Sequence, residues 1–136
     1  MLPVSLLLAG ALASGGPDFG RIVAGRSRTH RCMVLPHRLQ SAPAQVLDLN
    51  ADGRLDRLLE LPGSCVVSAC TWRAYVGCPE GGHRLLLERI ALSMEPVAAD
   101  DGVWMPLQVT VPAPATEPQA WLYRYDGEAY RAAEPR

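Results

Sequence analysis

The sequence predicts an all-β domain that can include one short helix. We expect a small antiparallel β-sandwich or meander that is crosslinked by disulfides. Three observations lead to this fold class: short β-branched and aromatic runs from position 44 onward, turn signals between those runs, and four cysteines. The chain has 136 residues, of which 49% are hydrophobic, so one domain with a packed core is expected. Its 13 basic and 14 acidic side chains nearly balance, and this lacks the basic excess of a nucleic-acid-binding protein.

Seven strands are predicted, because each run has a length of about 4 to 9 residues and lies next to residues that favour turns. The predicted strands are 45–49, 55–61, 71–76, 84–92, 103–111, 121–125 and 129–132. Turns are expected at 52–53, 62–63, 81–82, 101–102 and 126–127, and the three prolines within 112–118 predict an extended connector. The run RLLLERIALSM at 84–94 is also compatible with a helix, and the sequence leaves that alternative open.

The N-terminus has the pattern of a secretory signal peptide. Residues 1–13 read MLPVSLLLAGALA, in which a short apolar stretch ends at the small residues that a signal peptidase requires. The apolar stretch is far shorter than the roughly 20 residues of a membrane-spanning helix. We therefore expect a signal peptide at 1–13, a linker at 14–20, a single β-rich domain at 21–136, and a periplasmic or secreted monomer without a membrane span.

The four cysteines favour two disulfides, because an even number of cysteines in an exported chain is typical of a disulfide framework. Four cysteines allow three pairings, of which we favour Cys65 with Cys70 and Cys32 with Cys78. A zinc site made of Cys65, Cys70, Cys78 and His83 is the alternative. The spacing of these residues lacks the C-x2-C pairs of structural zinc sites, so disulfides are preferred.

The clearest local motif is DLNADGRLD at 48–56. It places oxygen-bearing side chains at positions 1, 3, 5 and 9, and a glycine at position 6 permits a sharp turn. Ca²⁺ prefers six to eight oxygen ligands, and a backbone carbonyl at position 7 can add one. The expected ligands of a structural calcium ion are Asp48, Asn50, Asp52, the carbonyl of Arg54, and Asp56.

This motif resembles the calcium loops of FG-GAP, integrin-like repeats, D-x-[DN]-x-D-G-x-x-D, which join two β-strands. An EF-hand would require a glutamate at position 12, where this chain has Leu59. The resemblance covers 15 to 20 residues in one copy, so it implies a single β-hairpin within the domain that is stabilised by calcium. The wider arrangement also resembles small exported bacterial proteins of uncharacterised function. The alternative is a metal-free turn in which Asn50 and Asp52 cap backbone N–H groups.

The C-terminal segment predicts an aromatic hairpin. A two-residue turn at 126–127 would pair Tyr123 with Tyr130 and place Trp121, Tyr123, Tyr125 and Tyr130 on one face. Four large rings more often pack in a core, and a platform for a sugar or peptide ligand is the alternative. The opposite face, which we expect to be exposed to solvent, carries Leu122, Arg124, Ala129 and Arg131.

No catalytic motif is present, since the sequence lacks H-E-x-x-H, G-x-S-x-G and a phosphate-binding loop. We therefore expect no catalytic residues and no cofactor apart from calcium. The predicted function is an exported, non-catalytic, calcium-stabilised module that binds a protein or glycan partner, or has a structural role, in the cell envelope. The first alternative is an inhibitor or immunity-type protein that blocks a secreted enzyme through loops such as 78–83. The second is a small hydrolase that uses His83 with Glu80 or Glu88.

Overall fold

The fold is taken from a computed structural model, which describes residues 31–100, 102–113 and 117–136. The predicted signal peptide and linker, residues 21–30 and part of the proline-containing connector lie outside these described residues. The elements are helix α1 (His37–Gln40) and strands β1 (Ala44–Leu47), β2 (Asp56–Glu60), β3 (Cys70–Gly77), β4 (His83–Ala91), β5 (Ser93–Pro96), β6 (Leu107–Val111), β7 (Gln119–Tyr125) and β8 (Tyr130–Pro135).

The strands form two antiparallel sheets of four strands each. One sheet has the order β1-β2-β3-β4 and the other has the order β5-β6-β7-β8, so neighbours in each sheet are also neighbours in the sequence. This arrangement confirms the predicted all-β class. It also agrees with the short turns between runs, because antiparallel neighbours need only a hairpin connection.

The main hydrophobic core lies between the two sheets. Alternate residues of a strand point to opposite faces, and in both sheets one of these sets is apolar and buried. The first sheet contributes Leu58, Ala74 and Val76 among others, and the second contributes Leu107 and Val109. A β-sandwich therefore describes the packing of residues 32–136, which form one compact unit.

The outer face of the first sheet is also covered. Leu59 and Tyr75 point to that face and pack with Leu35 and Leu39, which precede β1 in the sequence. Leu39 is the buried residue of α1, a helix of one turn that follows Pro36. The segment before β1 thus adds a partial third layer, which the sequence analysis did not predict.

Two strand predictions, 84–92 and 103–111, need correction, and so does the helix alternative for 84–94. The run at 84–94 is not a helix, and it divides into β4 and β5, which belong to different sheets and are separated by Leu92. Residues 103–106 were predicted as the start of a strand, but β6 begins only at Leu107. Pro106 explains this late start, since a proline cannot donate a hydrogen bond to a neighbouring strand.

Both predicted disulfides are present. Cys32 is bonded to Cys78 and Cys65 is bonded to Cys70, with sulfur–sulfur distances of 2.06 and 2.03 Å. None of the four cysteines is free, so the zinc alternative is wrong. Disulfides are consistent with an oxidising, extracellular environment.

Candidate functional site

The motif at 48–56 lies in the hairpin connection between β1 and β2. These strands pair antiparallel with Leu47 opposite Asp56, so the loop between them closes on itself. Gly53 has a φ of 85°, a backbone conformation that glycine adopts without strain. The loop therefore connects two strands that pair directly with each other.

Asp48 organises the first half of the loop by accepting hydrogen bonds from the backbone. Its Oδ1 accepts from the N–H of Asp52 at 3.2 Å, and its Oδ2 accepts from the N–H of Gly53 at 2.8 Å. The bond from Gly53 is the main reason why the pKa of Asp48 is lowered. Asp48 is therefore an ionised carboxylate around which the loop curls.

Both carboxylate oxygens of Asp52 interact with Arg54. Its Oδ1 accepts a hydrogen bond from the Arg54 N–H at 2.8 Å, and its Oδ2 lies 3.1 Å from the Arg54 guanidinium. This is the Asx turn that the metal-free alternative expected of Asp52, whereas the side-chain oxygen of Asn50 does not cap a backbone N–H group. The guanidinium partly neutralises the acidic loop, although the ion pair is exposed enough to be weak.

Asp56 is fully buried and connects the loop to the sheet. Its Oδ2 accepts from the Leu49 N–H at 2.6 Å, and its Oδ1 accepts from the Gly77 N–H at 2.8 Å, so one carboxylate joins the loop to the end of β3. Burial raises the pKa of Asp56, and the two backbone hydrogen bonds oppose that increase. This structural role was not predicted from the sequence.

Asn50 supplies the observation that bears most directly on an ion. Its side-chain Oδ1 is buried and accepts no hydrogen bond, and among the described residues only the Trp72 indole nitrogen shares that condition. A buried amide oxygen without a partner costs free energy, which a cation at this position would recover. The Oδ1 of Asn50 is therefore a candidate ligand atom for a cation.

The three loop aspartates do not converge on one point. In the described part of the chain, the group of three candidate metal-ligating side chains whose ligand atoms lie within 4.8 Å of one another is Glu60, Cys65 and Cys70. That group cannot hold a metal through sulfur, because both sulfurs form a disulfide. A calcium ion in the loop would thus use at most two of the three carboxylates directly in the observed arrangement, with Asp56 held away by its backbone partners.

The aromatic side chains of the C-terminal hairpin belong to the core. Tyr123 and Tyr130 are buried within the main cluster, and Trp121 and Tyr125 pack against it. The ring of Tyr125 stacks on Trp104 with 3.8 Å between ring centroids. The structure therefore supports the core interpretation and not an open ligand platform.

The predicted register of this hairpin is wrong. Tyr125 pairs with Tyr130, and Tyr123 pairs with Ala132, so the loop contains residues 126–129 instead of two residues. The Asp126 carboxylate explains the longer loop, because its Oδ1 accepts from the N–H groups of Glu128 and Ala129. Leu122, which was expected to be exposed, is buried at 3% relative exposure.

The residues of the hydrolase alternative are not brought together by any contact in the described residues. Glu88 is bound by Arg73, with 2.6 Å between Oε2 and Nε. Burial lowers the pKa of His83, and the imidazole packs edge-on to the ring of Tyr75. Glu80 lies in the exposed turn between β3 and β4. Within residues 31–100, 102–113 and 117–136, His83 forms no hydrogen-bonded acid–base pair.

No protein-family model, curated protein or solved structure matches this chain. Within the described residues, no helix has the length and hydropathy needed to cross a bilayer.

Proposed function

We propose that the chain is a non-catalytic β-sandwich module of an oxidising extracellular compartment, in which the loop at 48–56 binds a structural calcium ion. The observation that carries the proposal is the buried, unpartnered Oδ1 of Asn50 inside a loop of carboxylates. Asn50, Asp48, Asp52 and the carbonyl of Arg54 are the proposed direct ligands. Asp56 would act through a water molecule or by holding the loop in place.

The charges of the loop support a cation. Three aspartates lie within nine residues, and Arg54 is the basic residue bound to one of them. Carboxylates at this spacing repel one another unless a positive charge reduces the repulsion. A hard cation with oxygen ligands supplies that charge and also satisfies the amide oxygen of Asn50.

The proposed role of the ion is to stabilise the fold. A ligand that binds only the folded state increases stability by RT ln(1 + [L]/Kd), which is about 1.8 kcal/mol at twenty times Kd. Calcium affinities of extracellular modules are on the order of 10⁻⁴ to 10⁻³ M, so about 2 to 20 mM calcium should produce this effect. The effect corresponds to a rise of several degrees in the thermal midpoint.

The test compares the thermal midpoint of the oxidised protein in calcium, in magnesium and in chelator. We expect a calcium-specific increase that is lost in Asn50→Ala and Asp52→Ala. Asp126→Ala is the matched control, because Asp126 also caps backbone N–H groups in a turn but lies outside the loop. Equal midpoints in calcium and chelator would reduce the loop to a metal-free Asx turn and would refute the proposal.

A further inference from the structure

The disulfide between Cys65 and Cys70 lies in the connection between β2 and β3, at the opposite end of β2 from the loop at 48–56. Its two cysteines differ in their access to solvent. Cys65 is exposed, whereas Cys70 begins β3 and has only 5% relative exposure. A thiol from another molecule therefore reaches this disulfide from the side of Cys65.

The shape of the β2–β3 connection does not depend on the disulfide alone. The N–H of Leu61 donates to the carbonyl of Thr71 at 2.8 Å, and the N–H of Thr71 donates to Ser64 Oγ at 2.9 Å. Val66 and Ala69 exchange backbone hydrogen bonds of 2.8 and 3.1 Å. These bonds stay available when the disulfide opens, so the two sulfurs remain near each other and the disulfide forms again readily.

A strained backbone position separates this disulfide from the one between Cys32 and Cys78. Cys32 is also exposed and Cys78 is also buried, so access alone does not distinguish the two. Val67, inside the shorter loop, has a φ of 59°, which a β-branched residue adopts only with strain. Among the described residues, the segments beside Cys32 and Cys78 contain no non-glycine residue with positive φ. Strained and exposed disulfides are the more easily reduced ones, so we expect the 65–70 disulfide to open first.

The surroundings of Cys65 define which thiols suit this site. Val66 and Val67 follow it in the chain, and their relative exposures are 74% and 99%. The connection at 61–69 contains no charged residue, and the Oε2 of Glu60 lies 4.0 Å from Cys65 Sγ. A neutral thiol with apolar neighbours gains contact with the two valines, whereas an anionic thiol is repelled by the carboxylate.

We propose that the 65–70 disulfide is a site of reversible thiol–disulfide exchange with a cysteine that has apolar neighbours in a partner peptide segment. The partner's thiolate attacks Cys65 Sγ and forms a new sulfur–sulfur bond, while the bond to Cys70 breaks and Cys70 leaves as a thiolate that takes a proton from water. The reverse attack by Cys70 releases the partner. The exchange is stoichiometric, so it adds a covalent mode of binding to a non-catalytic module and does not use the loop at 48–56.

The first experiment treats the folded, oxidised protein with dithiothreitol and blocks free thiols with N-ethylmaleimide at successive times. Mass spectrometry of the digested protein identifies the labelled cysteines. We expect Cys65 and Cys70 to be labelled at least about tenfold faster than Cys32 and Cys78, in a protein that still unfolds cooperatively on heating. The proposal is overturned if the 65–70 disulfide opens no faster than the 32–78 disulfide.

The second experiment compares Cys70→Ser, which leaves Cys65 as a free thiol, with Cys65→Ser, which leaves the buried Cys70. The probe is the symmetrical disulfide of a capped Leu-Cys-Leu peptide, and we expect Cys70→Ser to react at least about tenfold faster than its control. The same peptide with serines in place of leucines should react about threefold more slowly, because it covers less of Val66 and Val67. Equal rates for the two variants, or for the two peptides, would overturn the proposal. The first experiment uses the unchanged chain and stays decisive if a variant fails to fold.

The charge of the site is tested with glutathione disulfide, an anionic probe. In the Cys70→Ser protein, adding Glu60→Gln should raise the rate with glutathione disulfide by about threefold relative to the rate with the leucine peptide, because a nearby negative charge is removed and the shape is kept. An unchanged ratio of the two rates would refute the assigned preference for neutral thiols. All of these measurements are made in chelator, so their outcome is separate from that of the calcium proposal.

Discussion

Asp56 offers the strongest test of how the loop is attached to the sandwich, and Asp56→Ala is the informative change. The substitution removes the acceptor of two backbone N–H groups, those of Leu49 and Gly77, and the Leu49 group is fully buried. Leaving a buried donor unsatisfied costs about 1–3 kcal/mol, so two donors cost about 2–6 kcal/mol. Removing the burial penalty of the carboxylate returns part of this cost. We therefore expect the free energy of unfolding to fall by about 3 kcal/mol.

The assay is urea unfolding at neutral pH, with both disulfides intact and with chelator present. A loss of about 3 kcal/mol would lower the urea midpoint by about 2 M for a domain of this size. Asp56→Asn keeps one acceptor oxygen and should have an intermediate effect. Asp52→Ala is the control within the same loop, because it removes one exposed hydrogen bond and one exposed ion pair with Arg54 and should cost about 1 kcal/mol or less. If Asp56→Ala in chelator changed stability no more than this control, the proposed anchoring role would be refuted.

Three further predictions concern other parts of the sandwich. Gly77→Ala should destabilise the protein by about 1–3 kcal/mol in urea unfolding, since an added Cβ would lie 2.6 Å from the Leu55 carbonyl oxygen. Gly102→Ala is the control and should be neutral, because a Cβ added there has no atom within 4 Å. Replacing both cysteines of the 32–78 disulfide by serine should lower the free energy of unfolding by about 4 kcal/mol, and the same change at the 65–70 disulfide should lower it by about 2 kcal/mol. The difference is expected because the first disulfide closes a much longer loop of chain. Equal decreases in the thermal midpoint would contradict this loop-entropy argument. The pKa of Asp126 is lowered to about 2, mainly by the backbone N–H groups that it binds. The contribution of its carboxylate to the stability of the fold is therefore complete above about pH 4 and is lost as the pH falls toward 2. Asp126→Asn should flatten that part of the profile of thermal midpoint against pH.

The fold class was predictable because its causes are local. Alternation of apolar residues, turn dipeptides and an even number of cysteines all act over a few residues or through composition. The division of one apolar run into β4 and β5 was not predictable in this way, since nothing between Ala91 and Ser93 resembles a turn. The strand changes sheets there because both sheets bury a face against the same core, which is a property of the whole chain.

The site was predicted less completely, for a related reason. The ligand-type spacing at 48–56 is visible in the sequence, but the inward position of Asp56 depends on Gly77, which is 21 residues away. The register of the last hairpin depends on where the Asp126 side chain binds, and the sequence permits either a short or a longer loop. A cavity lined by residues of both sheets, among them Gln45, Glu60 and Met94, likewise forms only when the two sheets pack, and no local sequence pattern marks it.

The order of the strands has a consequence for how the molecule forms and opens. Every strand pairing joins consecutive strands, so each sheet can assemble from hairpins with little loss of chain entropy before the two halves meet at Leu92. Both covalent bridges lie in the first half, and the described residues of the second half have none. The second sheet therefore depends entirely on its noncovalent association with the first, and we expect its amide hydrogens to exchange through an opening that leaves the crosslinked half intact.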